Sequence, residues 1–142
     1  MRALLDVNVL IALLDSAHLH HARATDWLRE HIRAGWASCP LTQNGCIRIM
    51  SLPGYPNSAT AAAVAERLAA ATATRHHEFW PDAVSLVDAG RIDWNSVLGS
   101  RQVTDVYLLA LAVEMNGCLA TLYRSVPLQA VRGAKPKNLV VI

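Results

Sequence analysis

A chain of 142 residues with 53% hydrophobic and 17% charged side chains has material for one core and too little for two, so a single domain over residues 1–142 is expected. The shortage of charge predicts some apolar surface covered by a partner, and the formal charge of +2 is compatible with nucleic acid without requiring it. A secretory leader is excluded by Asp6 interrupting the first apolar run, a membrane span by the brevity of the run Leu108 to Val113, and an ATPase or dehydrogenase site by the lack of a glycine fingerprint around Gly54, Gly90 and Gly99.

Ala3 to Leu5 reads as a first strand ending in Asp6, followed by a short helix through Val9 to Leu14. A second helix is predicted from about Leu19 to Arg33, its apolar positions Ala22, Trp27 and Ile32 set among polar ones, with Gly35 breaking the pattern. The imidazoles of His18, His20 and His21, with His31 further on, lack a matching cysteine and read as a solvated helix start rather than a zinc site. Trp36 to Cys39 fits a second strand, after which Pro40 and Thr42 lead into a helix containing Ile47 and Met50. A loop over 51–58 carries Pro53-Gly54 and Pro56-Asn57, and an alanine-rich helix follows through Ala71.

Glu78 to Trp80 and Val84 to Val87 are short apolar stretches that periodicity leaves open between strand and turn. Thr104 reads as the cap of a helix reaching Glu114, with Gly117 ending it after Asn116. Cys118 to Leu122 and Leu139 to Ile142 complete the strands. Cys39, Cys46 and Cys118 have no paired spacing and read as reduced, buried thiols, which together with the missing leader makes the cytoplasm the expected compartment.

Alternating strands and helices predict an α/β sandwich around a mostly parallel sheet, in which sites gather beyond the carboxyl ends of strands. Asp6 lies at such an end, and Asp105 recurs as an isolated acid opening an apolar helix. Two carboxylates so placed suit a hard divalent cation, which can hold a phosphate and activate water.

Leu5-Asp6-Val7-Asn8, Leu41-Thr42-Gln43-Asn44-Gly45 with Arg48, Arg101-Gln102-Val103-Thr104-Asp105, and Cys118-Leu119-Ala120-Thr121-Leu122-Tyr123-Arg124 resemble, in this order, the motifs of PIN-domain ribonucleases. The likeness is to the VapC-type toxins of bacterial type II toxin-antitoxin systems, and it extends to His76 to Asp82 and to the terminal strand from Asn138. It implies a PIN-like three-layer α/β/α sandwich and a metal-dependent endoribonuclease, using Mg²⁺ or Mn²⁺, that hydrolyses RNA phosphodiesters to 5′ phosphate and 3′ hydroxyl ends. A cognate VapB-type antitoxin and a homodimer are implied as partners.

Carried over residue by residue, Asp6 and Asp105 match the first and third acids and are the implied metal ligands, while Gln43 and Tyr123 stand where the family usually has glutamate and aspartate. Asn8 and Thr104 match supporting polar positions; Arg101, Tyr123 and Arg124 are candidate substrate contacts. Gln43 keeps the length and a carbonyl oxygen of glutamate, so it counts with Asp6 and Asp105 as a catalytic candidate that, beside Asn8, would position water, but it accepts protons poorly; Tyr123 is bulky and ordinarily neutral. Two carboxylates suit one metal, completed by water and phosphate, better than a prebound pair. The alternative is a catalytically weakened PIN protein that keeps RNA or antitoxin binding.

Overall fold

The computed structural model describes residues 1–142. Five short strands, β1 (Ala3–Leu5), β2 (Trp36–Ser38), β3 (His77–Phe79), β4 (Cys118–Thr121) and β5 (Leu139–Val141), form one sheet in the order β3-β2-β1-β4-β5. Every pairing is parallel, with Leu4 beside Ala37 on one side and beside Leu119 on the other. The order runs outward from β1 in both directions, so the chain switches sides between β1 and β4. In open parallel sheets the crevice at this reversal, beyond the carboxyl ends of the strands, is where ligands bind.

Successive strand residues face opposite sides of the sheet, and both sides are covered. Ala3 and Leu5 of β1 pack into a core with Val9, Leu10, Met50 and Val64, under helices α1 (Val7–Leu14), α2 (His21–His31), α3 (Pro40–Met50) and α4 (Ala61–Thr72). Leu4 points the other way, into a core with Trp80, Leu108, Leu111 and Val131 under helix α5 (Val103–Glu114). Residues Val106 to Ala112 are buried without a break, as befits a helix apolar on all sides and enclosed by sheet and flanking segments.

The residues account for most boundaries. Asp6 is extended and its side chain accepts from the Val7 amide, so α1 starts two residues before the expected Val9. A turn of 3-10 helix, Ile32–Ala34, ends the second helical stretch before Gly35, whose φ of 80° suits glycine. Pro40 occupies the first turn of α3, where its missing N–H costs nothing, and Thr42 exchanges hydrogen bonds with the Cys39 backbone. Gly45 lets α3 approach α1, since a Cβ there would stand 2.7 Å from the Val7 side chain.

Two expectations at α5 need correction. Thr104 does not cap it: a 3-10 turn over Ser100–Gln102 already leads the chain in, Gln102 is helical rather than extended, and Thr104 falls inside the first turn. At the far end Asn116, not Gly117, takes the left-handed conformation, with φ 55°. Gly117 N–H donates to the Ala112 carbonyl and Asn116 N–H to that of Val113, closing a Schellman turn. Glycine is required at 117 for a different reason: a Cβ would lie 2.6 Å from both the Trp80 ring and the Arg2 carbonyl. Of the two ambiguous stretches, His77–Phe79 pairs as β3, whereas the chain around Val84 is irregular and contributes its side chain to the core. The three cysteines are buried and unpaired. No helix is long and apolar enough to cross a membrane.

Candidate active site

A cleft of about 1010 Å³ opens beyond the carboxyl ends of β1 and β4, and both Asp6 and Asp105 line it. Asp6 arrives on β1, Asp105 as the third residue of α5, and Asn8 in the first turn of α1. The sheet reversal and the opening of α5 thus deliver the sequence-predicted acid pair to one place.

Asp6 is buried and heavily solvated by the protein itself. Its Oδ1 accepts from the Val7 amide at 2.7 Å; its Oδ2 accepts from Asn8 Nδ2 and Thr121 Oγ1, each at 2.7 Å. Asn8 also accepts from the Leu122 amide at 3.0 Å, so it ties the end of β4 to the start of α1. With two donors on Oδ2 and one on Oδ1, the open lone pair of this carboxylate is on Oδ1. Burial raises the Asp6 pKa, and the bonds from Thr121, Val7 and Asn8 only partly offset it.

Asp105 is held differently. Burial first, then the nearby negative charge of Asp6, pushes its carboxyl from 3.8 up to about 6, and no hydrogen bond counters the rise. Two carboxylates with raised pKa values in one cleft, one of them raised in part by the charge of the other, form a donor set that a divalent cation would relieve, and their hard oxygens suit Mg²⁺ or Mn²⁺. No group of three or more His, Cys, Asp or Glu side chains is assembled anywhere in the chain for a metal. The residues present could hold one hard ion between Asp6 and Asp105, and they offer no third carboxylate for it.

The other sequence-predicted residues divide. Arg101 and Tyr123 line the cleft, and Tyr123 is 59% exposed at its rim. Thr104 and Arg124 are exposed and outside the lining. Gln43 is also outside it: its Nε2 donates to Ser38 Oγ at 3.0 Å, and Ser38 Oγ is 2.8 Å from His77 Nε2. A glutamate at 43 has no hydrogen to give Ser38, so the amide is matched to this neighbour.

Among the lining residues without a site role in the sequence reading, two carry rings with polar atoms. His18, set aside there with its neighbours as a solvated helix start, lies in the cleft wall, and so does Tyr55 from the loop over 51–58. The tyrosine between Gly54 and Pro56 carried no motif, and the histidine was masked by the three around it.

Full-length similarity decides the family. The chain is 49% identical over 142 residues, covering all of both chains, to Ribonuclease VapC44 of Mycobacterium tuberculosis. The chain belongs to the VapC family of PIN-domain ribonuclease toxins. It is also 46% identical over 122 residues, 86% of each chain, to Ribonuclease VapC29 of the same species. A solved structure of VapBC2 from Rickettsia felis, bound to a DNA fragment from their promoter, superposes with a TM-score of 0.64 over 100% of this VapC chain and 98% of that one. At 13% identity this likeness speaks for the fold alone. No family model matches the chain.

Proposed function

We propose that this VapC chain is a metal-dependent endoribonuclease that hydrolyses RNA phosphodiesters in the cytoplasm and is inhibited by a cognate VapB-type antitoxin, working as a homodimer. The observation that carries the reading is the convergence of Asp6 and Asp105 on one cleft at the sheet reversal, each with a raised pKa. Family membership supports the reaction class, since the two relatives named above are ribonucleases.

Asp6 and Asp105 would hold a single Mg²⁺, with Mn²⁺ as substitute. When bound, the ion would supply Lewis acidity, polarising the phosphoryl oxygen and lowering the pKa of water. Asn8 and Thr121 fix the Asp6 carboxylate so that Oδ1 stays free for the ion, the part that partners of metal ligands play elsewhere. Arg101 at the cleft wall would take a phosphate oxygen. In-line attack of water forms the new P–O bond and breaks the bond to the 3′ oxygen, leaving a 5′ phosphate and a 3′ hydroxyl.

A second reading, a catalytically weakened VapC that retains RNA or antitoxin binding, is favoured by Gln43 being turned to Ser38 and by Tyr123 standing at the rim in place of an acid. Cleavage of total RNA by antitoxin-free protein, with Mg²⁺ or Mn²⁺ and with Asp6→Asn in parallel, separates the two. Cleavage by the parent alone supports the nuclease. Silence from the parent, with cleavage gained in the double variant Gln43→Glu, Tyr123→Asp, supports the weakened form.

A further inference from the structure

We infer that the wall of the cleft built on Asp15 is a nucleotide subsite, in which the Tyr55 ring stacks an unpaired RNA base and His18 Nε2–H donates to the RNA; this rests on the ribonuclease reading and names where its substrate lies. The wall is assembled from two distant segments. Asp15 ends α1 and is buried, yet its carboxylate is fully engaged: Tyr55 Oη donates to Oδ2 at 2.5 Å, and Asn57 Nδ2 and the Ala17 amide donate to Oδ1 at 3.2 and 3.0 Å. These bonds pin the loop over 51–58 to the turn that follows α1. The Tyr55 hydroxyl beside it holds the Asp15 carboxyl below the usual carboxylate range, so the clamp stays ionised at neutral pH.

The clamp has two consequences inside the cleft. Tyr55 is held by its hydroxyl, packs partly buried against the core under α1 to α4 and lies in the cleft lining, so its placement is fixed before any ligand arrives and its ordering entropy is already met. The turn carries His18, whose backbone N–H donates to the Asp15 carbonyl and whose Nδ1 accepts from the His20 amide at 3.0 Å. Nδ1 being an acceptor, Nε2 bears the hydrogen, and no protein group takes it. A preset ring and a spare N–H share the cleft with Asp6, Asp105 and Arg101.

This chemistry selects single strands. Bases become available for stacking on aromatic side chains only when unpaired, whereas an A-form duplex keeps its bases out of reach. The cleft is also far larger than one phosphate requires, and the two acids occupy only part of its wall.

The test measures binding apart from cleavage, by fluorescence anisotropy of a short mixed-sequence single-stranded RNA with full-length, antitoxin-free protein in EDTA. Tyr55→Leu should weaken binding by about five-fold or more, as expected of a lost stacking surface, and His18→Ala by about five-fold, as expected of a lost hydrogen bond. Tyr55→Phe, which keeps the ring and loses the clamp, should stay closer to the parent, and a duplex of the same RNA should bind more weakly. Circular dichroism checks that each variant is folded; should Tyr55→Leu unfold, His18→Ala decides. Parent-like affinity in His18→Ala, equal affinity for duplex, or no RNA binding by the parent overturns the subsite. Cleavage is assayed separately: a parent that binds in this pattern but never cuts sinks the nuclease reading and leaves the subsite standing, while a parent that cuts but is indifferent to both substitutions does the reverse.

Discussion

The two carboxylates of the cleft sit in opposite kinds of surroundings. Asp6, where β1 meets β4, accepts three hydrogen bonds from groups that are themselves bonded, and this wall is rigid before any ligand arrives. Asp105, at the opening of α5, accepts none and is raised to about 6 by burial and by Asp6. Gln43, which the family resemblance sets where a third acid usually stands, lies outside the cleft lining with its amide committed to Ser38. A cleft with one preorganised ligand and one loose one binds a metal only as well as the second can be drawn in. In the proposed nuclease, substrate phosphate rather than a further side chain would complete the coordination.

That contrast predicts unequal effects of substitution. The largest belongs to Asp6→Asn, which keeps the shape and removes the one prearranged anionic oxygen. RNA cleavage should fall by more than about 100-fold, beyond the 10–100-fold typical of losing a partner to a metal ligand. Retained activity would break the assignment of Asp6 as the anchor. Next comes Thr121→Val, which removes the hydroxyl that donates to Asp6 Oδ2 and accepts from Asn8 Nδ2 at 3.1 Å. Because the acceptor is a buried carboxylate, the loss should be about 2 kcal/mol, read as a lower urea midpoint with unchanged slope. A neutral Thr121→Val would mean that the rigid wall does not depend on this network.

The acid of each wall was legible in the sequence, the contacts around it less so. Apolar residues ending in Asp6, with Asn8 two residues on, were enough to place a carboxylate at the end of a central strand. Asp105 was equally legible as an isolated acid in an apolar helix, although the 3-10 turn before it displaced Thr104 from the expected cap. What sequence could not show was contact between distant segments. Thr121, which completes the Asp6 network, is 115 residues away and carries no charge to mark it. Tyr55 reaches Asp15 across 40 residues of chain. Gln43 was readable as a substitution, but its attachment to Ser38 and, beyond that, His77 depends on β2 and β3 being neighbours, which short apolar runs do not reveal.

Protonation offers a finer probe of the loose wall. Asp105 binds a proton in the folded chain up to a pH of about 6, against 3.8 ordinarily, so between these values the native state holds more protons than the unfolded one. Its contribution to metal-free stability is therefore complete below the lower value and is lost as pH rises through about 6. Mg²⁺ should act in the opposite sense, stabilising the protein more above that pH, where both carboxylates are ionised. Thermal melts across this range, with and without Mg²⁺, should diverge as pH rises. In Asp6→Asn, with the repelling charge gone, the Asp105 midpoint should move down.

The smallest expected effect tests the committed amide. In the observed arrangement Gln43 Nε2 donates to Ser38 Oγ, leaving the Ser38 hydroxyl hydrogen for His77 Nε2, and burial holds the His77 pKa below its usual value. Gln43→Glu replaces a donor with an acceptor. Ser38 must then turn its hydrogen to the glutamate, and His77 is left facing an oxygen that accepts, an arrangement that favours the imidazolium. His77 is also faced by Arg2, which lowers its pKa, and by Glu78, which raises it; neither changes in this variant. An NMR titration should therefore show the His77 midpoint rising in Gln43→Glu relative to the parent. An unmoved midpoint would mean that residue 43 is free of Ser38 in solution, and a glutamate there could then swing toward the cleft and supply the third acid that the parent lacks.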